Sequence, residues 1–227
     1  MPIWKNMLNL LEPIQKKALD LFGQSPLREK FYWTGGTLLS TVYLQHRKSE
    51  DLDFFTDKPF TYREVANFAH HLKKELGLKN IQEKKIYDRW EFLINNGEKL
   101  RIEFVLYEFS NLKPRKKWYG IFIDSLDDIA ANKTMTLFER NTPKDLVDLY
   151  FLIKKKKYQV PELLKLAKQK FGLSVNEIGF FSETMKGQKF LSDIRPFLLA
   201  KNKKKLIEDI KSYFKKQAAL CLHFIID

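Results

Sequence analysis

A chain of 227 residues that is 44% hydrophobic and 14% aromatic, with 19 Phe, carries too much apolar side chain for a disordered protein and spreads it too evenly for a membrane protein. Its 41 Lys and Arg against 28 Asp and Glu leave a net charge of +13, which attracts polyanions, although the same lysine excess also describes a solvated surface. Cys221 is the single cysteine, so an intramolecular disulfide and a multi-cysteine zinc site are both excluded.

The length allows one large domain or two small ones. Apolar residues recur at helical spacing over residues 3–22, with Pro13 marking a break or a second start. Residues 31–34 then form a short strand, Gly35-Gly36 a tight turn, and residues 38–45 a helix ending at His46-Arg47. A strand with alternating polarity follows over residues 51–55, and an amphipathic helix over 62–76 closed by Gly77. Strands around 81–87 and 90–94, a hairpin at Asn96-Gly97 and a strand over 100–107 complete an α/β first half. From Ser125 onward the period is helical, predicting helices at 125–139, 143–154, 160–171, 175–185 and 206–224. The expected organisation is an α/β domain over residues 1–120 and a helical domain over 121–227, crossing over in the lysine-rich segment before Gly120. Basic runs fall at 113–117, 154–157 and 201–205.

No basic-then-apolar leader opens the sequence, and the longest apolar stretch, residues 218–226, is well short of the ~20 residues a membrane-spanning helix needs. A cytoplasmic location without a membrane partner is expected. Cys221 itself reads as a small buried hydrophobe.

Asp51 and Asp53 are one residue apart in a strand, so their carboxylates leave the same face while Leu52 and Phe54 point to the core. Two adjacent hard oxygen ligands suit a divalent cation and phosphate chemistry. A bare pair of this spacing is common as a solvent-facing feature, and its context carries the assignment. The glycines allow backbone N–H groups to approach a triphosphate, and Thr37 adds a hydroxyl at the following helix start. Arg47 and Ser49 either hold phosphate or brace the aspartate strand, and His46-Arg47 can equally cap the helix. Over residues 100–106, Leu100, Ile102, Phe104 and Leu106 share one face and leave Arg101 and Glu103 on the other.

The run from Gly35-Gly36-Thr37 through His46-Arg47-Lys48-Ser49-Glu50-Asp51-Leu52-Asp53-Phe54-Phe55 resembles the polymerase-β-like nucleotidyltransferases, and more narrowly the abortive-infection toxins of the AbiEii/AbiGii type. The resemblance spans about residues 30–155. It implies a mixed α/β (α+β) sheet domain followed by helices, and transfer of a nucleoside monophosphate from a nucleoside triphosphate to an acceptor hydroxyl with release of pyrophosphate. It implies Mg2+ or Mn2+ on Asp51 and Asp53, with Glu103 as a third acidic ligand and Gly35, Gly36, Thr37, Arg47 and Ser49 at the nucleotide. In residues 128–150 it makes Lys133 a phosphate lysine, sharing a helix face with Arg140, and brings Asp145 and Asp148 into play as acidic groups. Such a lysine would be a point-charge clamp with no packing duty. The acceptor implied is RNA, in particular the 3′ end of tRNA, within a toxin–antitoxin or phage-defence pair that includes a cognate antitoxin. A protein or small-molecule acceptor, or a catalytically silent binder of RNA or antitoxin, are the alternative readings.

Overall fold

The structure, a computed structural model, describes residues 10–226 except Gly97 and Leu173. Residues 3–9 of the expected lead-in helix and the glycine of the expected hairpin therefore lie outside the described residues. The chain divides into two compact units, one reaching to Ser125 and the other beginning at Leu126.

In the first unit, helix α1 (Pro13–Gln24) starts at a proline, whose fixed φ and missing N–H suit a first helical turn. Strand β1 (Tyr32–Thr34) runs into the glycine turn and a short helix α2 (Gly35–Leu38), which widens into a π-helical stretch over Leu39–Leu44. Gln45, with φ 51°, ends that stretch in the left-handed conformation. Strand β2 (Asp51–Thr56) precedes helix α3 (Tyr62–Glu75), opened by a capping box in which Thr61 and Glu64 satisfy each other's backbone N–H. Strands β3 (Ile81–Ile86), β4 (Arg89–Asn96), β5 (Glu98–Leu106), β6 (Lys116–Trp118) and β7 (Ile121–Ile123) complete a seven-stranded sheet. Its order is β3-β4-β5-β2-β1-β7-β6, with β2 parallel to β5 and β1 parallel to β7 among otherwise antiparallel pairs.

One sheet face is an aromatic core. Phe22 of α1 stacks on Phe54 of β2 at 3.9 Å between centroids, and Phe104 of β5 meets Phe31, Phe54, Phe68 and Phe92. Each such ring removes enough apolar area from water to contribute about 1.5–3 kcal/mol. Removing Leu52 or Phe54, both fully buried, would open a cavity directly behind the aspartates.

β6 and β7 correct the sequence expectation that the segment around Gly120 opens the helical part. Tyr119 and Gly120 both have positive φ, 50° and 78°, the combination that closes a two-residue hairpin, and Trp118 then pairs with Ile121. Ile121–Ile123 is buried beside β1, so the crossover falls after the strand rather than before it.

The second unit contains α4 (Leu126–Glu139), α5 (Pro143–Lys156), α6 (Val160–Phe171), α7 (Glu177–Gly187), a 3-10 helix over Gln188–Phe197 and α8 (Lys203–Ile226). Leu137, Leu149, Leu152, Leu163, Phe180 and Phe214 are fully buried in it. Cys221 is half-buried in a shallow apolar groove with Ile178, Phe181 and Met185, which corrects its reading as a buried residue. Among the described residues no helix is long and apolar enough to cross a membrane.

Candidate active site

The sheet face opposite the aromatic core carries the charges. Alternation along β2 buries Leu52 and Phe54 and leaves Asp51 and Asp53 half-buried on the other side. The parallel register sets Asp51 opposite Arg101 and Asp53 opposite Glu103, and β4 adds Glu91 opposite Glu103. Four carboxylates thus share one patch. Arg101 is their common counter-charge: its guanidinium lies 2.6 Å from Asp51, 3.1 Å from Glu103 and 3.7 Å from Glu91. Arg89 reaches Glu103 from the other side at 3.5 Å.

Glu103 has a side chain only 8% exposed. Burial pushes its pKa above the ordinary glutamate value, and the two arginines oppose that shift without cancelling it. Arg101 and Glu91 were not singled out as site residues from sequence. Glu91 is detectable only once the β4–β5 register is known.

The glycine turn is built against these aspartates. Gly35 has φ 79°, and a Cβ there would come within 2.7 Å of Asp53 Cγ, so only glycine leaves room for that carboxylate. A Cβ on Gly36 would meet the Arg47 guanidinium at 2.9 Å and Ser49 Oγ at 3.5 Å. Thr37 donates its hydroxyl to the backbone carbonyl of Asp51, which ties the turn to β2. Arg47 is fully buried and donates to the Lys48 carbonyl at 3.0 Å. Gln15 of α1 donates to the Ser49 carbonyl at 2.9 Å. These contacts hold Arg47 and the Ser49 backbone in the segment that leads into β2.

Gly35, Gly36, Thr37, Arg47, Ser49, Asp51, Asp53 and Glu103 are therefore brought together in the α/β unit. Lys133, Arg140 and Asp148 are brought together in the helical unit. Lys133 Nζ lies 2.9 Å from Asp145 and 2.8 Å from Asp148, and both carboxylates are fully buried. Arg140 grips Asp145 with two hydrogen bonds of 3.0 and 3.1 Å, and Thr142 donates a third at 2.6 Å. Burial raises the Asp145 pKa, but Lys133, Arg140 and the Thr142 hydroxyl outweigh it and hold the carboxyl well below the usual range. The expectation that Lys133 has no packing duty is thus corrected: a helical lysine with carboxylates 12 and 15 residues further on has been folded inward to neutralise them. A second buried pair, Lys170 with Asp128 at 2.8 Å, links α6 to α4.

The sheet carboxylates are hard oxygen donors, the ligand type that magnesium and manganese take. Among the described residues, no three or more His, Cys, Asp or Glu side chains stand ready to hold an ion, and Arg101 supplies positive charge at that patch.

A mixed sheet with a strand, glycine turn and helix leading to paired aspartates is the arrangement expected from the resemblance to polymerase-β-like nucleotidyltransferases. The family model described as nucleotidyl transferase AbiEii toxin, type IV toxin-antitoxin system, matches residues 17–220, and the chain belongs to that family of nucleotidyltransferases. It is 29% identical over 216 residues to an uncharacterized protein of Aquifex aeolicus (strain VF5), covering 91% of this chain and 95% of that one. The crystal structure of a candidate nucleotidyltransferase from H. pylori matches with a TM-score of 0.61 at 20% identity, over 95% of this chain and 94% of that one. JHP933 from Helicobacter pylori matches with a TM-score of 0.60 at 18% identity, over 98% of both chains. At these identities the structural likeness is one of fold.

Proposed function

We propose that the chain transfers a nucleoside monophosphate from a nucleoside triphosphate to a hydroxyl of RNA, the 3′ end of tRNA in particular. It would act in the cytoplasm as the toxin of a defence pair with a cognate antitoxin. The observation that carries the reading is the placement of Asp51 and Asp53, on one strand face, against a glycine turn that leaves no room for a side chain at Gly35.

In this reading the backbone N–H groups of Gly35 and Gly36 receive the triphosphate, and Thr37 keeps the turn locked to the aspartate strand. Arg47 lies directly behind Gly36 and adds fixed positive charge beneath the phosphates. Asp51 and Asp53, with Glu103 beside them, would hold magnesium or manganese, which when bound neutralises developing charge and aligns nucleophile with leaving group. Glu103, in register with Asp53, or an aspartate of the helical unit would take the proton of the acceptor hydroxyl. Lys133 and Asp148 enter as the ion-paired centre of the helical unit, while Arg140, with a side chain 57% exposed, is the member of that network that reaches solvent. The net charge of +13 supports a polyanionic acceptor.

The test is incubation with labelled nucleoside triphosphates, magnesium and total cellular RNA. Label should enter RNA, tRNA above all, and require the divalent ion. Label entering the protein or a small molecule would replace the RNA acceptor, and no transfer to any acceptor would make the chain a silent member of its family.

A further inference from the structure

The charged face of the sheet does not end at the carboxylates. Two residues beyond Asp53, about 7 Å along β2 and on the same face, stands Phe55. Its ring lies 4.8 Å from Tyr107, and Tyr107 lies 5.2 Å from Phe109, so three rings step outward from the aspartates. On the other side Phe55 meets Tyr32, its partner on β1, at 6.2 Å. The Arg115 guanidinium is stacked 3.7 Å over the Tyr32 ring and is steadied by Asp57 at 3.3 Å.

These rings differ from the core rings behind the sheet. Phe109 is 46% exposed and Phe55 and Tyr107 are half-buried, whereas Phe54 and Phe104 are fully covered. A row of rings that packing alone had selected would be covered as those are. The same face continues from Phe55 through its partner Tyr32 on β1 and Phe122 on β7 to Lys117 of β6, which is exposed. Aromatic faces flanked by cations are how proteins hold unpaired nucleotides, with bases on the rings and phosphates on the cations.

We propose that Phe55, Tyr107 and Phe109, with Arg115 and Lys117 on the same sheet face, form a stacking shelf for unpaired bases of the acceptor RNA strand, leading its terminal hydroxyl to Asp53. The proposal rests on RNA being the acceptor. An unpaired base could also belong to the incoming triphosphate, and the shelf is assigned to the acceptor because it offers three rings in succession and its face continues through Tyr32 and Phe122 to the exposed Lys117, an extent that suits a chain of nucleotides rather than one.

The test measures binding of a short unstructured RNA, and of an abasic strand of the same length, by fluorescence anisotropy, with nucleoside triphosphate KM measured in parallel. Phe109→Ala and Tyr107→Leu should each weaken RNA binding about tenfold, leave binding of the abasic strand and the triphosphate KM unchanged, and melt at the wild-type temperature. Phe109→Trp should restore binding. Wild-type RNA affinity in both variants would overturn the shelf while leaving the RNA acceptor intact. A matching loss on the abasic strand would assign the effect to charge or folding, and a raised triphosphate KM would give the rings to the incoming nucleotide; either result overturns the proposal. A wild-type protein that binds no RNA yet transfers nucleotide elsewhere would remove the acceptor reading and the shelf together.

Discussion

The carboxylates of the sheet and those of the helical unit are the same chemical groups put to opposite uses. Asp51, Asp53, Glu91 and Glu103 outnumber the arginines facing them and all but Glu103 keep contact with water, whereas Asp128, Asp145 and Asp148 are fully buried and matched by Lys170, Lys133 and Arg140. An under-compensated patch can accept a further cation. A buried, compensated network cannot lose one without stranding a charge in a medium that solvates it poorly. Exposure and counter-charge, more than residue type, decide whether an acidic group serves chemistry or the fold.

The largest effect expected from this contrast is on activity. Asp51→Ala and Asp53→Ala should each lower nucleotide transfer by about 10³-fold or more, as loss of a fixed electrostatic group at a reaction centre does. The melting temperature without metal should stay equal or rise, because like charges have been thinned and Arg101 still holds Glu103 and Glu91. Retained transfer would end the assignment of these residues, and a much lower melting temperature would place them with the structural carboxylates.

Lys133→Ala should act in the opposite sense. It leaves Asp145 with Arg140 and Thr142 but takes the Lys133 ammonium away from the fully buried Asp148, at a cost of about 3–5 kcal/mol in denaturant unfolding. Full stability in this variant would show that the helical network is dispensable. Smaller again is Gly35→Ala, where a side chain in the left-handed region costs about 1–2 kcal/mol and also displaces the Asp53 carboxylate, so stability and transfer should fall together.

Acid should separate the two regions by pH. Asp145 has a depressed pKa in the fold, so its contribution to stability is complete above the unfolded value near ~3.9 and is lost as pH falls from there toward the folded value. Unfolding by urea between about pH 5 and pH 2 should therefore become easier as pH drops, and Arg140→Gln should flatten that slope by weakening the grip on Asp145. A stability profile flat through this window would mean Asp145 is not held ionised.

Much of the sheet site was legible from the sequence because strand alternation is local. Asp51 and Asp53 facing one way, Glu103 facing away from Ile102 and Phe104, and a glycine turn just upstream need no knowledge of tertiary structure. What failed to show depends on pairing across sequence distance. The β1–β7 pairing joins residues some ninety positions apart, and β6 with its two lysines has the look of a charged loop. Likewise a lysine on an amphipathic helix signals a surface position, and only the arrival of Asp145, Asp148 or Asp128 from another helix turns Lys133 and Lys170 inward. The widening at Leu39–Leu44 had no marker either, since neither proline nor glycine stands within it.

The smallest effect belongs to Arg101, and it bears on how the sheet site changes hands between its own cation and a bound one. Arg101 donates to Asp51 at 2.6 Å and lies near Glu103 and Glu91, so it relieves the same like-charge repulsion that a divalent ion would relieve. On the proposed reading, a metal ion entering through Asp51 would have to compete with that guanidinium. The competition is modest, because the Arg101 side chain is 38% exposed and an ion pair in contact with water contributes about 1 kcal/mol or less. Arg101→Met keeps the length of the side chain and removes the charge. It should lower the melting temperature in chelator by a few degrees at most and strengthen magnesium binding without nucleotide up to about fivefold, read as a larger magnesium-induced rise in melting temperature than wild type shows. A smaller rise than wild type would mean that Arg101 shapes the site for the ion rather than standing in for it, and the sheet carboxylates would then be organised in advance, as those of the helical unit are.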